Sequence, residues 1–258
     1  MTPLHDETRR FPFAAAVEVI AHRGYSARAP ENTLSAIDLA VEAGADAVEF
    51  DLQVTADDVP VLFHDDTLDR TSNATGSLHE RMLVELRGLD AGAWFGAAFA
   101  GEPIPTFSDA LARTRNRFRR VYPEIKRSAS DASLAYIVKA VTDLGRVEQI
   151  VIISMDWDAL EKVRALTPDV GVGYIVEKAS RAREGLARAA ADPHALVDFR
   201  ASILLENPRL CDEARRQDVG LAVWTVDEPA EASRLLALGV PRITTNRVGE
   251  LMAWKASL

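Results

Sequence analysis

Short runs rich in Val and Ile alternate, from Val17 to Thr245, with Ala/Leu/Glu/Arg segments of helical character. This alternation constrains the fold more than any other feature, because repeated β-α units imply a parallel sheet with helices packed on it. Strands are predicted at Val17 to Ala21, Ala47 to Thr55, Val59 to His64, Arg120 to Lys126, Gln149 to Met155, Val170 to Val176, Ala201 to Leu205, Leu221 to Val226 and Arg242 to Thr245. These nine are one too many for a closed eight-stranded barrel. Only Ala56 to Asp58 separates the second from the third, and a parallel crossover needs a dozen residues or more. Those two strands must therefore form a hairpin. A two-residue turn at Asp57-Asp58 would set Ala56 opposite Val59 and Asp51 opposite His64. The other eight strands then run parallel, in an α/β fold of the (β/α)8 TIM barrel type. The 258 residues suit a barrel, which typically needs about 250, and no linker of Pro, Gly or Ser divides residues 1–258. A single domain is expected.

From Asp66 to Pro105 the periodicity lapses, and Gly76, Gly88, Gly92, Gly96 and Gly101 gather among aromatic and polar residues. Such a stretch exceeds the ordinary loops of a compact domain, so an insertion over the barrel mouth is expected at about 66–105. With 39 acidic against 30 basic residues, the formal charge of -9 repels a phosphate backbone and argues against nucleic acid as partner. No run approaches the ~18 apolar residues of a membrane span. Arg9 and Arg10 before Phe11 to Ala16 superficially suggest an export signal, but Glu18 interrupts the run, which continues into the first strand. A cytoplasmic protein is expected, in which the glycosylation acceptor Asn73-Ala74-Thr75 would go unused. Cys211, the one cysteine, can form no internal disulfide and is expected to pack as a small apolar side chain. Oligomeric state is not readable from the sequence.

In the second strand Val48, Phe50, Leu52 and Val54 alternate with Glu49, Asp51, Gln53 and Thr55. A barrel packs the apolar set outward against its helices, so Glu49 and Asp51 point inward near the functional end. The same parity sends Val121, Pro123 and Ile125 outward and turns Tyr122, Glu124 and Lys126 inward. Three converging carboxylates repel one another and lose hydration, so their pKa values rise or a cation joins them. All-oxygen ligation suits Mg2+ or Ca2+, with Mn2+ as an alternative, rather than zinc. The competing reading is an ion-pair network in which Lys126 merely neutralises buried carboxylates. His22 and Arg23 end the first strand before Gly24, which permits a tight departure, and His64 is expected to reach the same mouth from the hairpin. Two imidazoles flanking a phosphate can divide acid and base duties, each worth typically ~10²–10⁴ in rate. Arg23 can fork onto phosphate oxygens and Lys126 can add a second positive charge. These groups together describe phosphoryl transfer.

The chain reads AHRGYSARAPENT, then AVEFDLQVTADDVPVLFHDDTLDRTSNATG, then YPEIK, and continues through GEPIPTFSDAL and IISMD to VWTVD and ITTN. This ordered set resembles the signature blocks of the glycerophosphodiester phosphodiesterases, over nearly the whole chain from about Val17. The resemblance implies that Glu49, Asp51 and Glu124 hold one divalent cation, with Glu31 nearby as a candidate further ligand. It makes His22 and His64 the acid/base pair, puts Arg23 on the phosphate, and sets Lys126 beside metal and phosphate. Trp224 is similar to the family's aromatic at the barrel mouth. Asn32 is expected to brace the first loop or to cap the helix beginning near Thr33, and the insertion to help recognise the glycerol end. The chain departs from the family at Asp227, where asparagine is frequent, and at Asn246 and Val248, where an aspartate and a following proline are frequent.

The implied reaction is metal-dependent hydrolysis of a small glycerophosphodiester to glycerol 3-phosphate and an alcohol. Two rivals use the same residues. A lysophospholipase D would add an apolar groove for a single-chain lipid, with Phe95 and Phe99 as candidates, and a non-catalytic barrel would bind the diester without turnover. The presence of both histidines argues against the second, since binding alone needs no acid/base pair.

Overall fold

The computed structural model describes residues 9–126 and 130–258. Among the described residues the strands are β1 Glu18–Ala21, β2 Ala47–Val54, β3 Pro60–Leu62, β4 Arg120–Ile125, β5 Val151–Ser154, β6 Gly171–Val176, β7 Ala195–Arg200, β8 Gly220–Trp224 and β9 Arg242–Thr245. All but β3 are parallel, in the order β1-β2-β4-β5-β6-β7-β8-β9, and β9 pairs with β1 to close the barrel. Closure removes every sheet edge except that of the projecting hairpin. The alternation in the sequence now has a spatial meaning. Ile20, Tyr122, Val151, Ile153, Ile175, Leu196 and Ala222 fill the lumen with Phe11, while Val48, Phe50, Val121, Ile152, Val197 and Val223 pack outward in the larger core shared with the helices.

Phe11 closes the lower end of the lumen. The segment before β1 brings the Phe11 backbone so near that a Cβ at Gly220 would lie 2.5 Å from its carbonyl oxygen, which excludes any side chain there. The guanidinium groups of Arg10, Arg120 and Arg242 lie 5.3, 5.5 and 5.6 Å from the ring centroid, within reach of a cation–π attraction. Phe11 is thus the floor of the barrel, while Phe13 packs in the outer core and Ala14 to Ala16 are exposed.

Two expectations fail. The run Ala201 to Leu205 is not a strand but part of the helix Ala201–Glu206, with Ala201, Ile203 and Leu204 buried. The strand of that unit is β7, whose Asp198 and Arg200 dilute the apolar signal on the lumen side. The hairpin register is also shifted by one. Leu52 pairs with Leu62, Gln53 with Val61 and Val54 with Pro60, because the turn has three residues, Ala56-Asp57-Asp58, rather than two. Asp58 takes the left-handed conformation at φ 59°. Thr55 N–H donates to the Val59 carbonyl at 3.1 Å and Asp58 N–H donates back to Thr55 at 3.1 Å. Asp51 therefore faces Phe63, whose N–H donates to its carbonyl at 3.2 Å.

The insertion builds on β3 with a small core of its own, Leu68, Leu78, Leu86, Ala91 and Ile104 against Val61 and Phe63. It contains the short helix Leu83–Leu86 and two 3-10 turns. Cys211 is buried and free, as the composition implied. No described helix is long and apolar enough to cross a membrane.

Candidate active site

The upper end of the lumen opens into a cavity of about 210 Å³. His22, Arg23, Glu49, His64, Glu124 and Lys126 line one side, and Ile153, Met155, Ile175, Glu177, Asp198, Trp224, Thr225 and Thr244 complete it. Glu49, Asp51 and Glu124 each bring a carboxylate oxygen to within 4.8 Å of the others. All three are buried. Glu49 Oε1 and Asp51 Oδ1 have no hydrogen-bond donor, although Lys126 Nζ stands 3.0 Å from Glu124 and 3.4 Å from Asp51. Burial, then Asp51 and Glu124, push the Glu49 carboxyl well above its ordinary range. Burial, then Asp51, raise Glu124 to about 7. Asp51 goes the other way: burial pushes it up, but Arg23 and Lys126 outweigh burial and hold it low. Lys126 and Arg23, the latter shared with Glu31, still leave Glu49 Oε1 and Asp51 Oδ1 without a donor, and these oxygens fit a divalent cation.

The loop after β1 is built to hold this cluster. Arg23 and Gly24 both take positive φ, 57° and 78°, and a Cβ on Gly24 would meet Ala36 at 2.6 Å. The sharp turn brings Arg23 N–H to Glu49 Oε2 at 2.9 Å. It sets the guanidinium between Asp51, 3.0 Å away, and Glu31, 2.8 Å away. Asn32, also left-handed at φ 58°, grips Asp51 twice. Its Nδ2 donates to Asp51 Oδ2 at 2.8 Å, and its Oδ1 accepts Asp51 N–H at 3.0 Å. Asn32 is a brace and not a cap; the helix Leu34–Glu42 is capped by Thr33, whose side chain accepts from Ala36 N–H. Glu31 is not gathered with the other carboxylates. It binds Arg23 and, through both oxygens, Arg70 at 2.8 and 2.9 Å.

Each histidine is oriented by a different chain of partners. Asp227 is a pure acceptor, so Asn246 must present its amide nitrogen there, and Asn246 Nδ2 donates to Asp227 Oδ2 at 2.9 Å. That leaves Asn246 Oδ1 facing His22 Nδ1 at 2.7 Å, so His22 carries its proton on Nδ1 and keeps the Nε2 lone pair for the site. Burial, then Arg23, lower the His22 imidazolium to about 4. His64 Nδ1 lies 2.6 Å from Asp65 Oδ1, and Arg70 donates to Asp65 at 2.6 and 3.1 Å. Arg70, then His64, hold the Asp65 carboxyl at about 2. Because the register is shifted, His64 reaches the cavity through the bend after β3. Gln53 Nε2 fixes that bend by donating to the His64 carbonyl at 3.0 Å.

The structure thus brings His22, Arg23, Glu49, His64, Glu124, Lys126 and Trp224 to one cavity, with Asp51 behind it. Asp65, Arg70 and Asp198 were not singled out from the sequence. Asp65 and Arg70 sit in the block HDDTLDRT without a periodicity that sets them apart, and Asp198 lies outside the run Ala201 to Leu205 assigned as the strand of its unit. No described residue from 66 to 105 lines the cavity. The insertion meets the site through Arg70, which ties the loop of Glu31 to the partner of His64.

Comparison with known proteins agrees with this geometry. Residues 22–250 match the glycerophosphoryl diester phosphodiesterase family. A glycerophosphodiester phosphodiesterase of Caldanaerobacter subterraneus is 33% identical over 234 residues, which are 88% of this chain and 93% of that protein. The structure of an Oleispira antarctica phosphodiesterase in complex with the product sn-glycerol-3-phosphate superposes with a TM-score of 0.84 at 26% identity, covering 94% of this chain and 97% of that one. A glycerophosphodiester phosphodiesterase from Agrobacterium tumefaciens superposes with a TM-score of 0.79 at 28% identity, covering 92% and 99%. The chain belongs to the glycerophosphodiester phosphodiesterase family and is, like its relatives, a phosphoric diester hydrolase.

Proposed function

We propose that this enzyme hydrolyses glycerophosphodiesters to glycerol 3-phosphate and an alcohol, with a divalent cation held by Glu49, Asp51 and Glu124 and with His22 and His64 as base and acid. The observation that carries this reading is the opening of two separately oriented imidazoles and an under-neutralised carboxylate triad onto one cavity. The cation, Mg2+ or Ca2+ with Mn2+ as the alternative, would supply Lewis-acid polarisation of a phosphoryl oxygen and cancel the repulsion among its ligands. Arg23 and Lys126 add positive charge where the phosphate oxygens gather. Trp224 forms part of the substrate wall.

The partners of the two histidines divide their duties. His22 rests on the neutral amide of Asn246, beside Arg23, an environment that favours neutral imidazole and a free Nε2 lone pair. It takes a proton from the water that attacks phosphorus. His64 rests on the carboxylate of Asp65, which accepts from Nδ1 and leaves Nε2 for the cavity. It protonates the oxygen of the departing alcohol as the P–O bond breaks. The test is release of glycerol 3-phosphate from glycerophosphocholine by wild type and His64→Ala, with each cation and with chelator. Turnover that needs both the cation and His64 is expected. A full rate in chelator would remove the metal from the reading, and a full rate in His64→Ala would remove the acid.

A further inference from the structure

Asp198 has no part in the chemistry above, yet it lies on the cavity wall. It projects from β7 between Ile175 of β6 and Ala222 of β8, is 5% exposed, and its Oδ1 has no hydrogen-bond partner. It stands outside the carboxylate triad. The charged group that acts on it, Glu124, has the same sign. A buried carboxyl without a donor or counter-charge is costly. Because Asp198 opens on the cavity, a ligand can supply what the protein withholds.

The surroundings define that ligand. Ile153, Ile175 and Met155 make the adjoining wall apolar, Trp224 adds a half-buried indole, and Glu177 adds a second carboxylate at the exposed rim. Across the cavity stand Arg23 and Lys126, where an anionic phosphate belongs. We infer that Asp198 and Trp224, with Glu177 at the rim, form a subsite for a positively charged amine, so that the enzyme selects diesters whose alcohol carries an ammonium group. This rests on the phosphodiesterase reading and assigns the half of the substrate which that reading leaves open. An ammonium matches the carboxylate by charge, and its carbon substituents match the apolar wall and the face of an indole. The two carboxylates also repel a phosphate set the wrong way round, so a zwitterionic diester has one favourable orientation.

The test compares kcat/KM for glycerophosphocholine and glycerophosphoethanolamine with kcat/KM for glycerophosphoglycerol, whose alcohol is neutral, in wild type and Asp198→Asn. The amide keeps shape and hydrogen bonding and removes the charge. Wild type is expected to favour the cationic diesters about tenfold or more, and the variant to lose about tenfold of that ratio. A ratio unchanged by the substitution overturns the inference, as does an equal loss on all three diesters, which would place Asp198 against the shared glycerophosphate or in the fold. Choline alone, followed by calorimetric titration, supplies a readout without turnover, and its binding should weaken at least fivefold in Asp198→Asn. If wild type cleaves no diester, the phosphodiesterase reading fails by itself, and equal choline binding by the two proteins would still overturn the subsite.

Discussion

Both ends of the barrel bury carboxylates, and they treat them differently. At the lower end Glu18 is fully matched. Arg120 donates to its Oε2 at 2.7 Å, Tyr122 to its Oε1 at 3.0 Å, and Arg242 lies 3.8 Å away above the Phe11 floor. At the upper end Glu49 and Asp51 each keep a buried oxygen without a donor, and Glu124 stands beside them. The same fold thus gives both oxygens of a buried carboxylate a donor at one end, and leaves carboxylate oxygens without one at the other. Buried ion pairs of the first kind are costly to break. Clusters of the second kind mark functional sites.

The sharpest way to break this comparison is to neutralise one carboxylate at each end. Glu49→Gln should reduce turnover to background and abolish cation binding by calorimetry, while raising the melting temperature of the metal-free protein, because it relieves repulsion. Glu18→Ala should do the reverse. Stranding Arg120 and Arg242 in the floor should cost about 3–5 kcal/mol in urea unfolding, with kcat of the folded fraction retained. If Glu49→Gln destabilises the metal-free protein as Glu18→Ala does, the upper cluster is an ordinary ion-pair network.

A milder probe is pH. Glu124 is raised from 4.5 to about 7 in the folded protein, so between those values the folded state binds more protons than the unfolded state. Its contribution to stability is present below 4.5 and is lost as pH rises through about 7. The metal-free enzyme should therefore melt at a lower temperature at about pH 8 than at about pH 5. Saturating cation should reverse that slope, since it binds the deprotonated carboxylates. An identical slope with and without cation would show that the triad does not take the metal.

Much of the upper end was legible because parity along a strand is strict. Once Val48, Phe50 and Leu52 are assigned outward, Glu49 and Asp51 have nowhere to go but the lumen, and Glu124 and Lys126 follow on β4. Where parity was broken by a turn or hidden by composition, the sequence misled. The left-handed Asp58 moved the hairpin by one residue, so His64 arrives by a bend rather than by strand register. The lumen face of β7 carries Asp198 and Arg200, and the apolar helix that follows it mimicked the missing strand, which concealed Asp198. Asp65 and Arg70 follow His64 closely, but no periodic pattern marks their link to it, and the reach of Arg70 to Glu31 joins segments far apart in sequence.

The smallest expected effect lies between the two histidines, whose supports differ in charge. Asn246 offers His22 a neutral oxygen and is itself held by Asp227, whereas Asp65 offers His64 a carboxylate held by Arg70. Exchanging the pair beside His22, Asp227→Asn with Asn246→Asp, keeps donor facing acceptor but puts the negative charge directly against the imidazole. That charge favours imidazolium, so His22 should become neutral only above a higher pH than in wild type, and the acid limb of the kcat/KM profile should move upward. Asn246→Asp alone sets two carboxylates face to face and should cost about tenfold in kcat, at the low end of the ~10–100-fold range for partners that orient a functional side chain. The double exchange should recover most of that loss. An acid limb that stays in place in the double variant would mean that His22 is not the group whose neutral form limits the rate, and His64 would then be the candidate base.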